Sequence, residues 1–310
     1  MRIFENANYP MIDIRMITYA ISGSLILISI IAIMVRGLQF GIDFKGGKEY
    51  IIQFEKPVTV TQTRSVLTKT LGKEPLVKRF GSPQDLLIRT DASGDEAVVQ
   101  KQILSSLKQA YPGNQAQVLK KDIVGPRFAE SIKLAAIYSV LTSIVVIFLY
   151  ILIRFRKWTY SAGAIIALIH DVTITLGFFT IFNKLLPFNM DINESLIAAF
   201  LTIVGYSIND TVVVYDRIRE NLNIFKTDPF EKTVNKSIND TLSRTIITSG
   251  TTLFVVIVLF IFGGQVLKGL SLALIIGITV GTYSSIFIAS ALVVDFQKRV
   301  VKSAKKVISK

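Results

Sequence analysis

The chain has 310 residues, of which 51% are hydrophobic, and 35 Lys and Arg against 22 Asp and Glu give a formal net charge of +13. That apolar content is high for a soluble domain of this length. With no cysteine, disulfides, thiolate chemistry and cysteine-bound metal are excluded.

From the N-terminus, residues 1–38 read as a short cytoplasmic segment and a first span, uncharged between Arg15 and Arg36. The run is too long for a signal-peptide core and is expected to be retained. Residues 39–125 are the one stretch polar enough for a domain outside the membrane. It opens with an alternating β-branched strand, Glu49–Phe54. Helical spacing follows over Val60–Leu71, then strands at Leu76–Phe80 and Leu86–Arg89 around a Gly81-Ser82-Pro83-Gln84 turn. Asp95–Tyr111 reads as a helix with Val98, Val99, Ile103, Leu104 and Leu107 on one stripe, ending at Pro112-Gly113, and Gln115–Ile123 as a last strand. The order β-α-β-β-α-β predicts a small α+β, ferredoxin-like unit. With fewer than about 90 residues it buries a modest core and should lean on the membrane part or on a partner.

Residues 126–295 hold five further runs. They lie between Lys133 and Arg154, Lys157 and Lys184, Glu194 and Asp216, Arg244 and Lys268, and Lys268 and Asp295. Each is about 20 residues or longer, enough to cross a hydrocarbon core of roughly 30 Å as a helix. Trp158 and Tyr160, beside Lys157, read as interfacial anchors. The fourth and fifth spans are joined by a segment from Tyr215 to Ser243, and the fifth and sixth by a tight Gly263–Gly269 turn. Ser-Ile-Asn-Asp-Thr occurs at 207–211 and again at 237–241, with no periodic repeat around it. Residues 296–310 form a basic tail.

Threading six spans from a cytoplasmic N-terminus explains the charge without nucleic acid. The inside segments carry Arg2, Arg15, Arg154, Arg156, Lys157, Arg217, Arg219, Lys226, Lys232, Lys236, Arg244 and the tail from Lys298 to Lys310. The short outside loops carry only Lys184 and Lys268. This is the positive-inside pattern of an inner-membrane protein with both termini cytoplasmic and residues 39–125 periplasmic.

Ionisable residues inside spans mark candidate function. Asp210 lies in the fourth span, one turn from Tyr206, with Asn209 and Thr211 beside it. Low dielectric penalises its carboxylate and a nearby cation favours it, so its proton affinity depends on its partners. Arg244 opens the fifth span, above a polar stripe of Thr248, Thr251 and Thr252. A guanidinium keeps its charge, so Arg244 is expected to pair with Asp210 in a two-state element. The blander alternatives are a hydrated carboxylate and a snorkelling arginine. His170 and Asp171 sit mid-span in the third helix. As neighbours about 100° apart they are expected to face different partners, in a relay or as interhelical contacts. One histidine without a ligand cluster argues against metal. Gly277 and Gly281 form a Gly-x-x-x-Gly for close packing. No Walker loop and no Ser/His/Asp constellation is present, so an enzyme is not expected.

Five stretches together resemble the SecF branch of the SecD/SecF family of bacterial Sec protein-export membrane proteins. They are Phe40–Gly47 (FGIDFKGG), Val124–Ile132 (VGPRFAESI), Ala167–Val172 (ALIHDV), Ser207–Asn221 (SINDTVVVYDRIREN) and Ser243–Leu253 (SRTIITSGTTL). FGIDFKGG is shared with the SecD branch, but a single small outer domain and one set of six spans favour SecF. The resemblance implies half of an RND-like membrane core that couples the proton-motive force to late steps of export. It implies Asp210 and Arg244 as coupling residues and no cofactor beyond a coupling ion, proton or sodium. The implied partners are SecD, which holds a further carboxylate, the SecYEG channel, YajC, unfolded preproteins and membrane lipids. The rival readings are a small-molecule RND-type transporter subunit and an assembly subunit without transport chemistry.

Overall fold

The computed structural model describes residues 7–183 and 185–308, with side chains to Lys302. Arg2, Lys184 and the tail side chains beyond Lys302, all counted in the charge pattern, lie outside the described residues. In chain order come α1 (Arg15–Arg36), α2 (Ile42–Lys45), β1 (Gly47–Phe54), α3 (Val60–Leu71), β2 (Leu76–Phe80), β3 (Ser82–Thr90), α4 (Glu96–Ala110) and β4 (Ala116–Val124). Then follow α5 (Pro126–Phe155), α6 (Trp158–Phe182), α7 (Glu194–Ile224), α8 (Phe230–Phe262), α9 (Gly264–Ser284), a π-helical turn Ser285–Ala289, and α10 (Ser290–Ile308). Among the described residues six helices are long and apolar enough to cross a membrane, the last running through α9 and the π turn into α10.

The sheet is antiparallel with order β2-β3-β1-β4, as the expected β-α-β-β-α-β unit requires. Side-chain alternation puts Tyr50, Ile52 and Phe54 of β1 on the face that packs with Leu86 and Ile88 of β3, Leu67 of α3, and Val99, Ile103 and Leu107 of α4. Val98 is 53% exposed; the buried stripe of α4 recurs at Val99, Ile103 and Leu107, and Val98 lies a full 100° off it. The turn before β3 is tighter than expected. Gly81, with φ +86°, reverses the chain alone, so that Phe80 pairs with Ser82. Pro83 is tolerated because the ladder with β1 begins only at Asp85.

The opposite face carries Ile51, Phe80 and Leu87 and turns toward the membrane helices. There Asn183 and residues 185–193, between α6 and α7, meet it. Gly81 N–H donates to the Pro187 carbonyl at 2.9 Å, Ile192 N–H to Gln39 at 2.7 Å, and Gly41 N–H to Ile192 at 2.8 Å. The domain thus leans on its own bundle. The short α2, inside FGIDFKGG, had no periodicity to announce it. It places Asp43 Oδ2 3.0 Å from the N–H of Glu194, at the start of α7, where a carboxylate suits the helix dipole.

In the bundle, α1 is polar inward. Its buried residues are Thr18, Ser22 and Ser29, while Met16, Ile17, Ile21 and Leu25 are exposed, as lipid permits. A Cβ at Gly177 would overlap Ser29, and one at Gly281 would stand 3.1 Å from Ser207 Cβ. These glycines let α1 approach α6 and let α9 approach α7.

Two connections differ from expectation. The Tyr215–Ser243 segment is not a loop: α7 continues to Ile224, α8 begins at Phe230, and Arg217–Asp240 at 2.8 Å and Asn221–Ser237 at 3.0 Å zip them together. Likewise α9 begins at Gly264, so the turn after α8 is confined to Gly263-Gly264. Tyr160 is buried rather than interfacial, stacked on Phe155 at 5.3 Å and edge-on to Tyr215 at 4.9 Å; Trp158 is exposed. Arg15, Arg154 and Arg217 all fall at the end of the bundle away from the α/β domain, and each has a carboxylate partner.

Candidate functional site

Asp210 lies on α7, 4% exposed. Its Oδ2 accepts a hydrogen bond from Ser249 Oγ of α8 at 3.0 Å. Thr282 of α9 in turn donates to Ser249 at 2.8 Å. Three helices therefore meet at one carboxylate through hydroxyls alone.

The expected Asp210–Arg244 ion pair is not closed: within 4 Å Arg244 has no carboxylate among the described residues, although it lies within electrostatic range of Asp210. The cause is helical phase. The stripe of α8 turned into the bundle is Thr245, Ser249 and Val256. Arg244 lies about 140° round the helix from Ser249 and is exposed. The stripe of Thr248, Thr251 and Thr252 runs along the rim of this face. Tyr206 reaches it, with its hydroxyl 2.7 Å from Thr252 Oγ1. Thr248 offers its carbonyl to the Thr251 and Thr252 hydroxyls, and its own hydroxyl makes no hydrogen bond among the described residues. Asn209 points outward and is likewise without one.

One turn nearer the α/β domain lies a second buried cluster. His170 and Asp171, 2% and 0% exposed, do not face separate partners. His170 Nδ1 sits 2.8 Å from Asp171 Oδ1. Adjacent Cα–Cβ bonds diverge by about 100°, but the imidazole is long enough to swing back over its neighbour. Asp171 Oδ2 accepts from Ser207 of α7 at 2.6 Å and Ser284 of α9 at 2.8 Å. His170 Nε2 lies 3.0 Å from Ser22 of α1. Ser207 is one turn from Asp210, so the two clusters share α7 and α9. The hydroxyl partners Ser22, Ser207, Ser249, Thr282 and Ser284 gave no sequence signal, because serine and threonine are common in spans with no role but a bond to their own backbone.

A third site was not anticipated. Asp191, in the segment before α7, is 4% exposed yet held by charges. Lys78 Nζ of β2 lies 3.0 Å from its Oδ1 and Arg89 Nη1 of β3 lies 3.0 Å from its Oδ2. Asn183 adds a bond at 2.9 Å. Burial alone drives this carboxyl upward, but Lys78 and Arg89, with the Asn183 amide, outweigh it and hold it below the usual carboxylate range. Arg89 also binds Glu49 at 2.6 Å. A cavity of about 270 Å³ opens beside this junction, lined by Glu49, Arg89, Asp191, Asp43 and Gln265 among others. No cluster of residues fit to hold a metal ion occurs among the described residues.

Residues 102–299 match the family described as protein export membrane protein SecD/SecF, C-terminal, and residues 31–58 match the SecD/SecF GG motif. The chain is 58% identical over 299 residues to the protein translocase subunit SecF of Rhodothermus marinus, with 96% of each covered. It is 38% identical over 278 residues to that of Escherichia coli O157:H7, covering 88% of this chain and 83% of the other. Among solved structures it is similar to SecDF, a translocon-associated membrane protein from Thermus thermophilus, with a TM-score of 0.84 at 35% identity. It is also similar to SecDF in a super-membrane-facing form, with a TM-score of 0.68 at 34% identity. The alignments cover 94% and 98% of this chain but 39% and 40% of those longer ones.

Proposed function

Because this chain belongs to the SecD/SecF family of protein export membrane proteins, as a SecF-type translocase subunit, we propose that it works with a SecD partner to couple the proton-motive force to late steps of protein translocation. The observation that carries this reading is Asp210, a buried acid held by the hydroxyl of Ser249, with Arg244, which has no carboxylate within 4 Å among the described residues, in electrostatic range. Such an acid changes charge without breaking a salt bridge. When ionised it attracts Arg244; when protonated it releases that attraction, and α8 is free to shift against α7.

Each proton crossing 100 mV supplies about 2.3 kcal/mol, enough to bias a two-state element roughly fifty-fold. The outward faces of α7 and α8 show Asn209, Arg244 and Thr251, a polar surface ill-suited to lipid. It suits a second membrane half that completes the site with a carboxylate of its own. The SecYEG channel, YajC and an unfolded preprotein would be the further partners, and sodium remains the alternative ion. The charge pattern favours the inner membrane, with the far end of the bundle in the cytoplasm and the α/β domain outside.

The test is Asp210→Asn. We expect export stimulated by the proton-motive force to fall at least tenfold while the complex accumulates normally. Full stimulation in the variant defeats the reading, and a loss of complex abundance assigns Asp210 to assembly instead.

A further inference from the structure

The chain of hydroxyls leading to His170 has a direction. Tyr283 donates to the Thr18 carbonyl at 3.1 Å; a carbonyl only accepts, so the single phenolic hydrogen is committed there. Ser22 Oγ lies 3.1 Å from the Tyr283 hydroxyl, and that bond must then use the hydrogen of Ser22. With its hydrogen given to Tyr283, Ser22 can only accept from His170 Nε2, 3.0 Å away. Nε2 therefore carries a hydrogen. A second proton lies between Nδ1 and Asp171 Oδ1, 2.8 Å apart. An anionic Asp171 beside a neutral imidazole has one proton too few for this arrangement.

A second observation agrees. Asp171 is wholly buried, and His170 is the only cationic group within 4 Å of it among the described residues. A lone negative charge there would be costly; one added proton makes the pair neutral. Several ionisable groups of the helices packed around α6 have partners of their own, Tyr215 of α7 among them, whose hydroxyl donates to the Ala289 carbonyl at 3.3 Å. Arg15 of α1 pairs with Asp295 of α10, which also takes the Tyr19 hydroxyl. Arg154 of α5 pairs with Asp216 of α7, and Asp210 of α7 takes Ser249. Tyr283 of α9 belongs to the chain itself.

We propose that His170 and Asp171 hold one proton jointly as a neutral buried pair, and that this proton sets the direction of the Ser22–Tyr283 chain tying α1 to α6 and α9. Its departure turns the Ser22 hydroxyl toward Nε2 and breaks the bond to Tyr283, loosening α1. The proposal is separate from the role assigned to Asp210.

His170 is the only histidine of the chain, so its ring nitrogens can be read directly. The experiment uses the full chain, labelled with 15N-histidine, in lipid nanodiscs. At neutral pH, Nε2 is expected to carry a hydrogen and to show the resonance of a protonated ring nitrogen. An unprotonated Nε2 signal overturns the proposal. Tyr283→Phe frees the hydrogen of Ser22, so at the same pH the Nε2 signal of that variant is expected to move toward that of an accepting, unprotonated nitrogen. An unchanged Nε2 signal in a folded Tyr283→Phe chain overturns the assigned direction.

Discussion

Asp191 and Asp210 are the same residue buried to the same 4%, one just before α7 and the other midway along it. Asp191 is gripped by Lys78, Arg89 and Asn183; Asp210 is touched by Ser249. Burial is equal, so the partners decide what each acid does. Two cations stabilise only the ionised form, which makes Asp191 a fixed latch between the α/β domain and the bundle. A hydroxyl serves both forms, since it donates to a carboxylate and accepts from a carboxylic acid, so Ser249 can partner Asp210 in either form.

Asp191→Ala breaks the comparison most severely. It strands Lys78 and leaves Arg89 with Glu49 alone, and removing one partner of a buried pair costs about 3–5 kcal/mol. We expect a lower melting temperature and faster proteolysis between α1 and β1 in nanodiscs, with Asp191→Asn milder because its amide can still meet Asn183. Unchanged melting would remove the latch.

Gly277→Ala comes next. Its Cβ would lie 2.8 Å from Ile203 Cγ2 and nearer still to Cγ1 and Cδ1, an overpacking of about 1–3 kcal/mol that thermal unfolding should register. It presses α9 off α7 at Ile203, one turn of α7 before Ser207 and two before Asp210. Tyr206→Phe removes the 2.7 Å bond to Thr252, and we expect about 1 kcal/mol of lost stability with the fold kept. A double-mutant cycle with Thr252→Val isolates that bond.

The smallest effect at working pH concerns Asp191 itself. Its folded carboxyl is held below the ordinary value, so its stabilising contribution is complete above about pH 4 and fades as pH falls through the lower folded value. Docking of the domain, followed by proteolysis, should be flat from about pH 5 to 8 and loosen only in acid. Asp191→Asn should lack that acid limb.

The α/β unit was legible because period-two alternation, Gly81 and Pro112-Gly113 punctuate it within short range. The spans were legible from uncharged runs, but a helix does not end where hydrophobicity ends. Arg217, Asn221, Ser237 and Asp240 stop the apolar pattern while their mutual bonds carry α7 and α8 onward. Asp210 was visible because a carboxylate in a span is rare. Its partner Ser249 was hidden, since only the phase of a neighbouring helix brings that hydroxyl, and not Arg244, to face it. The Asp191 latch was invisible for a related reason: Lys78 and Arg89 lie more than a hundred residues away in an ordinary-looking polar domain.

The continuity of α7 has a mechanical consequence. Its 31 unbroken residues make a rod about 46 Å long, with Asp210 about 24 Å from one end and about 21 Å from the other. If the rod pivots where the acid sits, a tilt of about 10° displaces each tip by roughly 4 Å in opposite senses. One tip is bonded to Asp43, just past the Asp191 latch, and the other is zipped to the start of α8. A sub-ångström change around Asp210 would thus be magnified simultaneously at both ends of the bundle.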